Sequence, residues 1–356
     1  MDTHQLVDVP YRRQRQVEEA LQRFLELAKS QATGFGAGYL KLWETIERNM
    51  AGGKQFRPRM VMTAYEALGG DDIVAAAHVA AAYEMLHTAL IVHDDVIDRD
   101  FVRRGGPNVS GSYRDLARTA GIPLPLAEHR GMSVAVIAGD LALSAAYRLI
   151  DRAGSADAVR SHLREILDDA VSASAAGELA DVDFTVGDRQ PSVEEIIDME
   201  RLKTAFYSFE APLQSGAVLA GASQATVDAL AEFGKNIGIA YQIVDDVLGV
   251  FGDERATGKT TIGDLREGKL TVMVAYAADR EEWIDVAGLF GDPDLDDAGA
   301  ERIREALVSS GAKRYAQSLA DDFANRAWEQ LAAASVPEAL RDELRPFVAA
   351  VLERAR

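Results

Sequence analysis

The sequence predicts an all-α protein folded as a single domain, a bundle of roughly ten or more helices. Three observations carry that prediction. Apolar residues recur at helical spacing along nearly the whole chain of 356 residues, and alternating, strand-like runs are scarce. Two strongly apolar stretches each carry an Asp pair, Asp94–Asp95 and Asp245–Asp246, as facing helices of a bundle would. The chain shows no repeat at a fixed period and no linker long enough to divide it.

From Arg12 to about Lys29, the apolar positions Val17, Leu21, Phe24 and Leu25 mark an amphipathic helix. Gly34, Gly36 and Gly38 break it, and a short helix covers Tyr39–Met50. After the loop A-G-G-K-Q-F-R-P, Pro58 suits the start of a helix ending near Leu68. G-G-D-D at 69–72 reads as a C-cap, then an N-cap for a long apolar helix from Ile73. Beyond Arg104 a loop is expected, and Pro123 and Pro125 make 120–130 another break. Helical patterns resume over about Gly131–Ala153 and from Asp157 to Phe184. Ser192, with Glu194 and Glu195 after it, caps the next helix. Helices are then expected over 193–201, 204–221 and 224–251, with Lys203 and Thr204 at a junction. A polar loop runs from Gly252 to Gly268, then a helix from Lys269 to about Ala278. The stretch 297–355 reads as three amphipathic helices broken near Gly311 and Pro337.

Acidic residues outnumber basic ones by 57 to 38, which argues against a general nucleic-acid binder. The chain has no cysteine, so disulfide and thiolate chemistry are excluded; this fits a reducing, cytoplasmic setting. The first residues contain no apolar run resembling a signal peptide. Residues 73–92 have the length of a membrane span but run directly into Asp94 and Asp95. A core helix is the better reading, and no transmembrane segment is expected.

The stretch His87–Gly106 reads H-T-A-L-I-V-H-D-D-V-I-D-R-D-F-V-R-R-G-G. On a helix, Asp94 and Asp98 lie one turn apart on the same side, where they can share a hard cation through oxygen. Asp95 points about 100° away. Ala89, Leu90, Ile91, Val92, Val96 and Ile97 should bury this helix nearly all round, and carboxylates in such company need a cation. The second pair lies in Y-Q-I-V-D-D-V-L-G-V-F-G-D, where Gly249 holds the place of a third acid. Asp253 lies about 12 Å further along the helix by its rise, too far to share an ion with Asp245.

Positive charge gathers in the intervening loops: Lys54 and Arg57, Arg103 and Arg104, Lys203, Lys259 and Lys269. Metal ions together with so many separate cations fit a phosphate-rich substrate or substrate pair. A-T-G-K-T-T at 256–261 is not a P-loop: five residues separate Gly252 from Gly258, and no strand precedes them. His87 and His93 lack a suitably spaced third zinc ligand, and clustered Asp favours magnesium.

In order along the chain stand G-K-x-x-R-P, H-x-x-x-x-x-H-D-D-x-x-D, R-R-G, A-G-D at 138–140, K-T at 203–204, Y-Q-x-x-D-D and two later G-K steps. Together these resemble the trans-isoprenyl diphosphate synthases of the polyprenyl synthetase family, over nearly the whole chain. The resemblance implies an isoprenoid-synthase-type bundle around a central apolar cavity, and a homodimer. It implies that Asp94, Asp98 and Asp245 hold three Mg²⁺ ions on the diphosphate of an allylic prenyl substrate, with Asp95 and Asp246 supporting. Arg103, Lys203 and Lys259 would bind the same diphosphate. Lys54, Arg57, His87 and Arg104 would bind isopentenyl diphosphate. Thr204 and Gln242 would lie beside the reacting carbons, and Lys269 would belong to the part that closes over the site. Two positions depart from the family pattern: Gly249, and Glu178 where the family usually has Gln.

A class I terpene cyclase shares such a fold but needs no second diphosphate site, and Lys54, Arg57, His87 and Arg104 argue against it. A non-catalytic regulatory subunit could lose its acids freely, whereas five of the six expected acids remain. Product length is read from the residues before Asp94. Large aromatics near Ala89 and Leu90 give short products in this family; Ala89 is small, and Met85 or Leu86 forms the floor. A twenty-carbon product, geranylgeranyl diphosphate, is expected, with farnesyl or longer polyprenyl diphosphates as alternatives.

Overall fold

The computed structural model describes residues 11–50, 56–187, 189–252 and 261–354; Lys54, Asp253 and Lys259 lie outside the described residues. Helices α1 (Tyr11–Ala32) and α2 (Ala37–Met50) flank a 3-10 turn at Thr33–Phe35, and Gly36 makes the bend with φ 100°. Helix α3 (Phe56–Ala67) carries Pro58 in its first turn, where an N–H would lack an intrahelical partner. Helix α4 (Ile73–Ile97) opens on the expected cap, Asp72 accepting from the Ala75 N–H at 2.9 Å. Most of α4 is buried, as in a core helix. Both α4 and the later helix Leu124–Asp151 are nevertheless long and apolar enough to cross a membrane. The acid-bearing end of α4 differs from expectation. Leu90, Ile91 and Val96 are only half-buried, and Ile97 and Asp98 are exposed, because the helix stops there, with Asp98 as its C-cap.

Other elements depart from expectation too. Strands β1 (Val102–Arg103) and β2 (Gly106–Pro107) form a minimal antiparallel hairpin. The expected loop then gives way to α5 (Val109–Thr119), capped by Asn108, which accepts from the Gly111 N–H at 2.8 Å. The expected break at 120–130 is confined to residues 120–123. Pro123 is the N-cap of α6 (Leu124–Asp151) and Pro125 lies in its first turn, so these prolines start a helix. Helix α7 (Asp157–Val186) comes next, then α8 (Val193–Glu200) with a full capping box between Ser192 and Glu195. No junction interrupts Lys203 and Thr204. Arg201–Glu210 is a wider π-helical stretch that runs into α9 (Ala211–Leu219). Helix α10 (Gln224–Phe251) has the expected bounds and is capped by Ser223. The expected loop to Gly268 contains a short helix, α11 (Gly263–Glu267), closed by Gly268 at φ 68°. Helix α12 (Val272–Ala277) starts at the Thr271 cap, later than expected. After α13 (Glu281–Ile284) come α14 (Asp297–Ser309), α15 (Ala312–Ala333) and α16 (Glu338–Arg354), broken where Gly311 and Pro337 predict.

The chain divides into two compact units. The first comprises Val9–Leu167 and Ser215–Ala222. Within it α4 packs along α6 and α3, and fully buried alanines 138, 142, 145 and 146 bring α6 close. The second comprises Asp168–Gln214 and Ser223–Arg356, and α10 packs there against α15 and the π stretch.

Candidate active site

In the first unit, helical spacing sets Asp94 and Asp98 one turn apart, and the Asp98 N–H donates to the Asp94 carbonyl at 2.9 Å. Asp95 turns inward and its side chain is 3% exposed. The hairpin supplies its counter-charge. Arg103 Nε donates to Asp95 Oδ1 at 2.6 Å, and Nη2 donates to Asp94 Oδ2 at 3.1 Å. The turn between the two strands is Arg104–Gly105, with φ 53° and 73°; a two-residue I′ turn needs positive φ at both positions. Glycine accepts that freely. Arg104 does so at a cost of about 1 kcal/mol, a strain typical of functional positions. Burial pushes the Asp95 carboxyl up to about 6, against the pull of Arg103.

His93 and the A-G-D motif explain each other. The His93 ring lies where a side chain on Gly139 would be, and His93 Nε2 stands 3.4 Å from Asp140 Oδ1. Two helical turns before the Asp pair, a cationic set gathers around His87. Burial, then the charges of Arg57, Arg104 and Arg103, push its imidazole well below the usual histidine range, so it is neutral at pH 7. Glu84, one turn before Thr88 and buried, feels Arg57 and Arg104 too; burial raises its pKa and those cations oppose the rise. Glu84 is not among the residues the motifs single out; an acid inside an otherwise apolar helix is the signal that could have found it. Of the chain-length candidates, Met85, Leu86 and Ala89 are buried and Leu90 is half-buried.

In the second unit, Asp246 is buried on α10. It accepts from Gln242 Nε2 at 3.0 Å and from Lys269 Nζ at 2.8 Å. Burial works against the Lys269 charge, but Asp246, Asp264 and Asp245 outweigh it and hold the ammonium protonated well above the usual lysine range. Glu200, at the end of α8, is buried against Asp246, and burial first, then the Asp246 charge, drives its pKa well up. Lys203 is held by two carboxylates, Asp181 at 2.6 Å and Glu178 at 3.0 Å. The departure at Glu178 therefore surrounds this lysine with a second negative charge. The other departure also has a spatial counterpart: the Asp264 carboxylate lies where a side chain on Gly249 would be. Glu200 and Asp264 thus join Asp245, Asp246 and Lys269 in one polar network, while Glu178 and Asp181 hold Lys203, with Thr204 beside it on the π stretch.

That stretch has a visible cause. Gly177 on α7 receives the Lys203 backbone, Gly238 on α10 receives Ala205, and Gly234 receives Glu210; a Cβ at any of the three would collide. The wider turn is accommodated by glycines on its neighbours.

Among the described residues, no three His, Asp or Glu side chains converge as a metal cage. The acids that the motifs single out on α4 and α10 offer carboxylate oxygen. That suits magnesium, which takes one or two carboxylates and completes its octahedron with water and substrate phosphate.

Residues 41–288 match the polyprenyl synthetase family. A short chain isoprenyl diphosphate synthase of Methanothermobacter thermautotrophicus is 35% identical over 310 residues, covering 85% of this chain and 87% of that protein. A geranylfarnesyl diphosphate synthase of Aeropyrum pernix is 35% identical, covering 83% of this chain and 87% of that one. Among solved structures, a geranylgeranyl pyrophosphate synthase from Corynebacterium glutamicum, complexed with isoprenyl diphosphate and magnesium, superposes with a TM-score of 0.90 at 28% identity, covering 98% of this chain and 100% of that one.

Proposed function

This chain belongs to the polyprenyl synthetase family, and from that premise we propose that it condenses isopentenyl diphosphate with an allylic prenyl diphosphate, head to tail, to an all-trans product. The observation that carries the reading is a second set of cations: Arg57 and Arg104 act on His87, while Arg103 is hydrogen-bonded to Asp94 and Asp95. A protein that only ionises one diphosphate has no use for it.

Asp94, Asp98 and Asp245 would hold the magnesium, and the count of three ions rests on the family resemblance. The metal would supply positive charge for the diphosphate that leaves when the allylic C–O bond breaks. Asp95 and Asp246 support those acids from the same helices, each paired with one cation, Arg103 and Lys269. Arg103, Lys203 and Lys259 take the leaving diphosphate, so fixed positive charge meets negative charge as it develops. Lys54, Arg57, Arg104 and the neutral His87 orient isopentenyl diphosphate. Its alkene attacks the allylic carbon beside Thr204 and Gln242, and the released diphosphate accepts the proton. The buried, apolar length of α4 keeps water from the cation and houses the growing chain. Geranylgeranyl diphosphate is the proposed product. The whole chain acts as one synthase domain, as a homodimer, in the cytoplasm.

The deciding experiment incubates the purified protein with an allylic diphosphate and Mg²⁺, with and without isopentenyl diphosphate. Elongated prenyl diphosphate only in the presence of isopentenyl diphosphate is the expected result. A cyclised hydrocarbon in its absence overturns the reading.

A further inference from the structure

We propose that Arg304, on α14, is a positioning residue that clasps the end of α10 to the segment Thr261–Lys269 and so sets Lys269 and Asp264 against Asp246. This rests on the reading of Lys269 as part of the diphosphate site.

Arg304 Nε donates to the Val250 carbonyl at 2.9 Å, and Nη2 donates to Thr261 Oγ1 at 3.0 Å and to the Thr261 carbonyl at 3.2 Å. Nη1 pairs with Glu301 one turn earlier on α14, at 3.2 Å, which aims the fork. Val250 lies in the last turn of α10, so its carbonyl has no partner within the helix and an arginine satisfies it. The side chain is 20% exposed, and its planar fork meets the two chain segments through separate nitrogens.

The held segment is fixed on its far side as well. Arg266 donates to the Leu295 carbonyl through Nε at 2.9 Å and Nη2 at 2.7 Å, and the Gly291 N–H donates to the Leu265 carbonyl at 2.9 Å. On its near side, the Asp264 carboxylate lies against Gly249, and the Lys269 N–H donates to the Asp264 carbonyl at 3.0 Å. Lys269 Nζ also ties the segment to α10 through Asp246, but a diphosphate competes for that ammonium. Arg304 holds the backbone of α10 and of the segment directly, through the Val250 and Thr261 carbonyls and the Thr261 hydroxyl, so the register it sets does not pass through Asp246. Arg304 therefore keeps the register when Lys269 turns to substrate.

The test compares the full-length wild type with Arg304→Ala, Arg304→Lys, Thr261→Val and Lys269→Ala. Amide hydrogen exchange is measured without substrate, and steady-state kinetics with both diphosphates. Losing charge-assisted bonds of this kind should speed exchange at the Arg266 and Lys269 amides about tenfold in Arg304→Ala. The amides of α4 should be unmoved. KM for the allylic diphosphate should rise about tenfold, and that for isopentenyl diphosphate less than about twofold. Arg304→Lys should fall between, and Thr261→Val should move the same readouts less. Unchanged exchange in Arg304→Ala overturns the clasp. Faster exchange with unmoved kinetics overturns its link to the reaction. A Lys269→Ala variant with wild-type kinetics overturns the assignment of Lys269 instead, while exchange still decides whether Arg304 holds the segment.

Discussion

Glu210→Gln should make the protein more stable at alkaline pH, although it removes one member of an ion pair. Glu210 closes the π stretch, with its side chain 10% exposed and Oε2 lacking a hydrogen-bond partner. Burial raises its pKa from 4.5 to about 7; Arg201, 3.7 Å away, pulls the other way and is too distant to prevail. Between those two values the folded protein binds a proton that the unfolded chain has released. Stability therefore falls as pH rises through the window and levels off above it. At about 1.4 kcal/mol per pH unit, the loss amounts to about 3 kcal/mol by pH 8. Gln keeps an acceptor for Arg201 and carries no charge to desolvate. The two proteins should be about equally stable at pH 4.5, and the variant should be ahead by up to about 3 kcal/mol at pH 8. Urea denaturation at half-unit steps between pH 4.5 and 8.5 gives both curves. Parallel curves would refute the reasoning, and so would a variant less stable than the wild type at pH 8. Either result would mean that the carboxylate is ionised and well paired in the folded state.

The remaining predictions concern the reaction. Asp94→Ala or Asp245→Ala should lower kcat by orders of magnitude with the circular dichroism spectrum unchanged, since each removes a metal anchor from an intact helix; wild-type turnover in either would remove that residue from the ligand set. Arg57→Ala or His87→Ala should raise KM for isopentenyl diphosphate more than KM for the allylic substrate, and equal effects would dissolve the division into two anion sites. Ala89→Phe should shift the main product from twenty carbons towards fifteen: at ~1.5 Å per residue, raising the floor from Met85 to Ala89 shortens the pocket by about 6 Å, on the order of one isoprene unit. Chromatography of the products reads this directly, and an unchanged chain length at a normal rate would show that residue 89 does not face the chain. Glu178→Gln frees Lys203 from one of its two carboxylates and should lower KM for the allylic diphosphate; a higher KM would mean that Glu178 orients the ammonium productively.

Legibility in the sequence divides by the range of the forces involved. The caps at Asp72 and Ser192 are legible because each depends on a side chain and an amide three residues away. The Asp pairs are legible because acids in apolar helices are costly and rare. The helix after Asn108 obeys the same capping rule, yet R-R-G-G-P-N reads as readily as the end of one element as it does as the approach to the next. Pro123 and Pro125 mislead in the same way: proline ends a helix and also begins one, and only the residues beyond it tell the two apart. The π stretch and the reach of Arg304 are different, since their causes lie in other helices. Even so, the sequence carries a trace of the former. Gly177, Gly234 and Gly238 stand inside long helices, where each costs about 1 kcal/mol relative to alanine. Helices bear that cost at three places when another backbone must come close, and all three glycines receive the one stretch that carries Lys203 and Thr204. Mid-helix glycine is thus a signal for the polar cluster of the second unit, as direct as the paired aspartates, and it points to the neighbouring helix rather than to its own.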